Sequence, residues 1–109
     1  MAYDEGLAER IRARLGADSG FTEKRMFGGL AFLYEGNMAV GVTGDELMVR
    51  VGPHATEAAL ERPGTRPFDI TGRPMRGWVV VASSALSEDE VLAAWTDQGH
   101  DFAASLPPK

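Results

Sequence analysis

The chain has 109 residues, of which 44% are hydrophobic and 25% are charged, and it carries a net charge of −5 at pH 7. That length fits one domain covering residues 1–109, and the composition is ordinary for a globular protein. The sequence has no cysteine, which excludes disulfides, thiolate metal sites and cysteine nucleophiles, and its acidic balance opposes non-specific nucleic-acid binding.

The first predicted element is a helix that begins near Asp4 and ends near Gly16. Aspartate is a favoured N-cap, and glycine is common just after the last helical residue. Between them, Leu7, Ile11 and Leu15 recur every four residues, which places them on one side of a helix. We therefore expect an amphipathic helix whose apolar stripe packs against a core.

Residues 26–51 predict three short strands joined by tight turns. Gly36-Asn37 and Gly44-Asp45 are two-residue hairpin signals, because glycine and asparagine tolerate the positive φ that such turns need. With such loops at both turns, the strands form an antiparallel meander.

The assumed turns also fix the register of this meander. They set Val40 opposite Leu33 on one neighbouring strand and opposite Val49 on the other. They set Phe32 opposite Gly41, a large residue beside a small one, which is a favourable cross-strand pairing. Side chains alternate between the faces of a strand, so one face is almost wholly apolar and must be covered. The residues predicted on that apolar face are Ala31, Leu33, Met38, Val40, Val42, Leu47, Val49 and Val51. The residues predicted on the second face are Leu30, Phe32, Tyr34, Ala39, Gly41, Thr43, Glu46, Met48 and Arg50.

A second, short helix is predicted to open at Gly52-Pro53, because proline suits the first helical position. Two more strands are expected, at residues 68–71 and 77–82. The element order is then α-β-β-β-α-β-β-α once the last helix is added. One antiparallel sheet with helices on one face would cover every apolar stripe, so we predict an α+β fold.

The last helix is predicted to start at Ser87, which has Glu90 at the spacing of a capping box. Trp95 lies on its apolar side. Gly99 within the helix costs about 1 kcal/mol relative to alanine, so we expect either a close contact or a fraying point there.

No residue pattern predicts catalysis or metal binding. His54 and His100 are the only histidines and do not have metal-ligand spacing. Ser83 and Ser84 lack a surrounding G-x-S-x-G sequence, and neither of the common phosphate-loop patterns occurs. We therefore expect a protein that is not an enzyme and that holds no metal or cofactor.

Basic residues are concentrated in one stretch of this acidic chain, in which Asp69 is the only carboxylate. One interpretation is a loop that holds an anionic group. The alternative, which we favour, is that these side chains form internal ion pairs or project into solvent. The arginines of this stretch are Arg62, Arg66, Arg73 and Arg76.

The sharpest short motif is Met26-Phe27-Gly28-Gly29. It provides an aromatic anchor followed by two glycines, which permit a bulge or a close backbone approach where the sheet starts. We interpret it as a structural motif in preference to a ligand site.

This motif, together with residues 46–51 and the final helix with Trp95, resembles the TfoX N-terminal domain family. The resemblance extends over nearly the whole chain. It implies an α-β(3)-α-β(2)-α fold of the secretion-chaperone-like kind. The best-known members are TfoX/Sxy proteins, regulators of competence for DNA uptake that act with the cyclic-AMP receptor protein. The resemblance implies no catalytic residues.

The leading functional hypothesis is a protein-interaction module, with a regulatory role implied by the resemblance. Its expected interaction face carries Phe32, Tyr34, Met48 and Arg50, since aromatic residues, methionine and arginine are enriched at interfaces. The partner is another protein or a second copy of the chain.

Two alternatives stay open at this point. The first is an accessory nucleic-acid-binding domain, in which Phe32 and Tyr34 stack on bases while Arg50 and Arg76 contact phosphates. The second is a small-ligand-binding protein or an enzyme of unrecognised type. No apolar run approaches the ~20 residues that span a membrane, so we expect a cytoplasmic protein without membrane contact.

Overall fold

The computed structural model describes residues 3–16, 20–26, 28–69 and 74–108, without the side chains of Met26 and Pro74. Within these ranges the chain forms three α-helices, six β-strands and a short 3-10 helix at Ser83–Ala85. The helices are α1 Glu5–Leu15, α2 Thr56–Leu60 and α3 Asp89–Ala104. The strands are β1 Phe21–Met26, β2 Gly29–Tyr34, β3 Asn37–Thr43, β4 Glu46–Arg50, β5 Thr65–Asp69 and β6 Pro74–Val81.

The strands form a single antiparallel sheet in the order β1-β2-β3-β4-β6-β5. This architecture confirms the predicted α+β class. The structure adds one strand to the predicted order, because β1 precedes the expected meander. Its sequence places Glu23, Lys24 and Arg25 in succession and so lacks apolar alternation, which is characteristic of an edge strand protected by charge.

One face of the sheet is covered by all three helices. Leu7 and Ile11 of α1, Ala59 of α2, and Leu92 and Trp95 of α3 belong to one buried cluster with the sheet residues beneath them. The predicted apolar stripe of α1 is therefore confirmed, and Asp4 caps this helix by accepting a hydrogen bond from the backbone N–H of Leu7. The sheet residues in the cluster are Leu30, Phe32, Val40, Val42, Leu47, Val49, Val51, Val79 and Val81.

The predicted register is right for one hairpin and wrong for the next. Val40 pairs with Val49 as expected, and the β3–β4 turn is formed by Gly44-Asp45. Between β2 and β3, however, Val40 pairs with Phe32 and not with Leu33.

The cause is an irregularity in β3. Tyr34 pairs with Asn37, so the turn is Glu35-Gly36 and not the predicted Gly36-Asn37. The register then shifts by one residue, which leaves Ala39 without a partner on β2. A shift of one residue moves every side chain of a strand to the other face. The face assignment predicted for β2 is therefore reversed.

Other boundaries also differ from the prediction. Helix α2 begins at Thr56, well after Gly52-Pro53, because Gly52 has a φ of 88° and starts a turn. Strand β5 begins at Thr65 and ends at Asp69, while residues 70 and 71 of the predicted strand lie outside the described ranges.

The predicted capping box of α3 does not form. Glu88 is the N-cap residue, and no side chain makes a capping hydrogen bond there. The predicted close contact of this helix does occur: a Cβ on Gly99 would lie 2.5 Å from the carbonyl oxygen of Ala39.

Candidate interaction face

The face of the sheet opposite the helices is called here the open face. One row of paired residues crosses it through all six strands, running from Lys24 on β1 to Arg66 on β5. Alternation along each strand then assigns the neighbouring residues of the same face. The open-face residues are Thr22, Lys24, Ala31, Leu33, Met38, Gly41, Thr43, Glu46, Met48, Arg50, Arg66, Phe68, Trp78 and Val80.

The centre of the open face is apolar and closely packed without any helix. Ala31, Met48 and Val80 are 0%, 1% and 3% exposed, yet none of them belongs to the helix-covered cluster. A Cβ on Gly41 would lie 2.8 Å from the terminal methyl groups of both Met38 and Met48. The methionine side chains therefore lie over the glycine and shield the middle of the sheet.

Partly exposed apolar side chains border this centre. Leu33 pairs with Met38, and both are partly exposed to solvent. On the other side, Trp78 is partly exposed and lies next to Phe68, with 6.0 Å between the ring centroids. The open face thus combines aliphatic, methionine and aromatic surface, which is the composition enriched in the cores of protein interfaces.

Arg50 is fixed between two aromatic rings at one end of this face. Its guanidinium carbon lies 5.6 Å from the centroid of Trp78, its partner on β6, and 5.4 Å from the centroid of Phe102 on α3. Both distances are within the range of a cation–π contact. The side chain is partly buried, so the rings restrict its position at the surface.

The four residues predicted to share an interaction face do not share one. Met48 and Arg50 lie on the open face, but Phe32 is 2% exposed in the helix-covered core. Tyr34 packs against Phe21 and against His100 of α3, at centroid distances of 5.1 and 4.8 Å. The irregularity at Ala39 explains the error. The correction also removes Phe32 and Tyr34 as an exposed pair for stacking on bases.

Leu33, Met38 and Trp78 are among the open-face residues that sequence reasoning missed. Trp78 and Val80 alternate with Val79 and Val81 in a β-branched run, a signal that places Trp78 opposite the core-facing valines. For β2 and β3 no such signal exists, because both of their faces are apolar.

Comparison with models of protein families shows to which family the chain belongs. The family model of the TfoX N-terminal domain matches residues 14–103, from the last turn of α1 to the last turn of α3. The chain belongs to the TfoX N-terminal domain family. No curated protein and no solved structure matches it.

Within this TfoX N-terminal domain, the arginines of the predicted basic stretch are dispersed. Arg62 lies 3.4 Å above the ring of Trp95 and donates a hydrogen bond to Gln98 on α3, and burial lowers its pKa. Arg66 forms a bidentate pair with Glu46 on the open face. Arg76 is exposed, while Arg73 lies outside the described residues. Arg62 and Arg66 thus have separate protein partners and do not converge on one anion site.

Within the Met-Phe-Gly-Gly motif, Met26 ends β1 and Gly29 begins β2. Met26 pairs with Gly29, and Gly28 has a φ of 71°, which a glycine adopts without strain. A Cβ on Gly29 would overlap the carbonyl oxygen of Val42, so the backbones of β2 and β3 approach closely here. Phe27 lies outside the described residues.

A groove of about 310 Å³ lies between α1 and β1 of the domain, over Leu15 and Phe32. Its charged groups are Arg12 and Glu23, which bind each other through two hydrogen bonds of 2.6 and 2.7 Å. The hydrogen bond from Arg12 lowers the pKa of the Glu23 carboxyl. Both groups are therefore engaged in joining α1 to the edge strand.

Neither a metal centre nor a membrane-spanning helix is found in the described ranges. No three histidine, aspartate or glutamate side chains there are grouped so that they could hold a metal ion. No helix in those ranges has both the length and the apolar character needed to cross a bilayer.

Proposed function

We propose that this TfoX N-terminal domain is a non-enzymatic protein-interaction module that binds its partner through the open face. The observation that carries the proposal is the partly exposed border of this face, formed by Leu33, Met38 and Trp78 around a packed apolar centre. Burying such a surface against a partner removes apolar area from water, at roughly 25 cal/mol per Å².

Membership of the TfoX N-terminal domain family supports a regulatory role for this binding. A regulator of this kind acts by holding another protein, so it needs a recognition surface and no reaction centre. The open face supplies that surface, since the helices pack on the opposite side of the sheet and Phe102 of α3 reaches Arg50 at its end. The two residues best placed to contribute apolar contacts are Leu33 and Met38.

The experiment is capture of partners from nuclease-treated lysate of the native host. The tagged chain is compared with Leu33→Asp, which places a charge on the open face, and with Ala94→Asp, which places the same charge at an exposed position of α3. Retained proteins are identified by mass spectrometry, purified and tested for direct binding. Thermal melts of both variants show whether the fold is intact.

We expect an identified protein that binds the wild type and Ala94→Asp directly and does not bind a folded Leu33→Asp variant. A partner that is held equally by both folded variants would exclude the open face as the binding surface. Recovery of no partner by any of the three proteins would contradict the interaction-module proposal itself.

A further inference from the structure

We infer that the open face takes an acidic protein segment with apolar neighbours, and that Arg50 is the receptor for one of its carboxylates. This inference rests on the proposed function, because it names the chemistry of the partner at the same surface. It depends on three observations: the position of Arg50 beside two aromatic rings, the hydrogen bonds that most other arginines already make within the protein, and the positive charge of the open face.

Arg50 offers unused hydrogen-bond donors in a restricted position. Trp78 and Phe102 contact the guanidinium, at 5.6 and 5.4 Å from their centroids, and no hydrogen bond or ion pair links it to any described residue. A cation–π contact uses the charge of the guanidinium and does not require its N–H groups as hydrogen-bond donors. A carboxylate can accept two parallel hydrogen bonds from that edge, and the restricted side chain loses little further entropy on binding.

Most other described arginines already have an acceptor in the protein. Arg14 is paired with Asp97, and Arg66 with Glu46, each through two nitrogen atoms. Arg62 is bound to Gln98. Arg25 also lacks an acceptor among the described residues, but it is exposed on the edge strand and no ring holds it. Arg50 therefore combines unused donors with a fixed position.

The charge of the open face favours an acidic partner. Lys24 and Arg50 have no carboxylate partner in the described ranges, whereas the carboxylate of Glu46 is neutralised by Arg66. The chain as a whole has a net charge of −5, so this face is basic relative to the rest of the molecule. Complementary charge speeds encounter with an acidic partner and disfavours other partners.

The same features disfavour a second copy and a nucleic acid. Two open faces docked on each other would bring cations of like charge together. A nucleic acid would need several phosphate contacts and exposed rings, but the centre of this face is aliphatic and its Trp78 ring already contacts Arg50 and Phe68. An acidic segment that also carries leucine or phenylalanine fits both the cations and the apolar border.

The test is an NMR titration of the full chain with a short synthetic peptide of Glu, Asp, Leu and Phe. A peptide with Gln and Asn in place of the acids, and a single-stranded oligonucleotide, are the comparison probes. The chain has two tryptophans, and Trp95 is 1% exposed, so its indole signal is the internal control for that of Trp78. Arg50→Gln, Arg50→Lys and Arg25→Gln are titrated in parallel after a thermal melt.

We expect the acidic peptide to shift the Trp78 signal and not that of Trp95. Its affinity falls at least about tenfold in Arg50→Gln, by less in Arg50→Lys, and hardly at all in Arg25→Gln. Added salt weakens the binding.

Equal binding of the acidic and neutral peptides, or equal affinity in wild type and Arg50→Gln, overturns the inference. So does a response of Trp78 to the oligonucleotide alone, or concentration-dependent dimerisation through this face. In each case the proposed function is judged separately, by whether the partner identified from lysate still loses its binding to Leu33→Asp.

Discussion

The two faces of this sheet are both rich in apolar residues, but they are packed in different ways. On the covered face, three helices lie over large side chains such as Phe32 and contribute residues such as Ile11 to the same buried cluster. On the open face, small residues form the centre, and the side chains of Met38 and Met48 shield it. Apolar content alone therefore does not tell which face of the sheet forms the core. The covered face is shielded from solvent by helices, whereas the centre of the open face is shielded by flexible methionine side chains.

This difference predicts different responses to substitution. A covered face has neighbours that cannot move, because helix and strand backbones are in contact there. An open face has neighbours that can rotate, because methionine has three flexible bonds and adapts to altered shapes. Substitutions on the covered face should therefore cost more stability than matched substitutions on the open face.

Phe32→Ala is expected to lower the free energy of unfolding by about 3–5 kcal/mol, because it creates a cavity beneath the helices. Leu33→Ala, one residue further along β2, is expected to cost less than half as much, because Leu33 is partly exposed on the open face. Urea unfolding monitored by circular dichroism measures both. A larger loss for Leu33→Ala would mean that the faces of β2 are assigned the wrong way round.

Gly99→Ala is expected to destabilise the protein by about 1–3 kcal/mol, although alanine is the better helix former. Its new methyl group would meet the backbone oxygen of Ala39, which cannot retreat without moving β3. Gly41→Ala is the matched substitution on the open face, where the methyl group would mainly meet two methionine termini. We expect its cost to be smaller than that of Gly99→Ala. Thermal melts of the pair test the contrast, and the reverse order of stability would refute it.

Arg62→Gln is expected to cost about 0.5–2 kcal/mol, because it removes the cation stacked on Trp95 while retaining a polar side chain. Arg76→Gln is the control, since Arg76 is exposed and donates a 3.4 Å hydrogen bond to the backbone carbonyl oxygen of Pro53. Urea midpoints measured side by side check the difference. Equal midpoints would show that the stacking contributes no stability.

The smallest expected effect concerns acid pH. The pKa of Glu23 is lowered from its ordinary value of 4.5, chiefly by the hydrogen bond from Arg12. A carboxyl whose pKa is lowered by folding stabilises the fold above its ordinary pKa, and this contribution is lost as pH falls through the lower folded value. Glu23→Gln should therefore flatten the fall in stability below about pH 4.5.

Because the pair is exposed, the change should be modest. Glu57→Gln, an exposed position on α2, is the control for loss of a carboxylate elsewhere. Melting temperatures measured across the acid range give the comparison. If the melting temperature of Glu23→Gln falls with decreasing pH as steeply as that of the wild type, the contact with Arg12 does not link pH to stability.

The sequence predicted the class of fold and the β3–β4 hairpin, because Gly44-Asp45 specifies its turn and the valines on both strands fit one register. It could not specify the β2–β3 register. Both faces of β2 are apolar, so its sequence fits the register with the one-residue shift at Ala39 as well as the register without it. The candidate face inherited that error: Met48 and Arg50 lie on the side of the sheet predicted for them, whereas Phe32 lies on the other side.

Strand β1 was missed for a different reason. Its run of charged residues at 23–25 has no apolar alternation, and the pairing with β2 comes from backbone hydrogen bonds at the sheet edge. The acceptors that pair with the arginines could not be predicted either, because Arg66 and its partner Glu46 are 20 positions apart in the sequence. Such contacts follow from the topology of the sheet and have no local signal.

If the open face binds a protein, it should be covered in native host cells, and oxidative footprinting measures that cover. Met38 and Trp78 are partly exposed in the isolated chain, and His54 is an exposed residue of the turn between β4 and α2. We expect Met38 and Trp78 to be oxidised more slowly in cells than in the purified protein, relative to His54. Relative rates that are the same in both settings would contradict it.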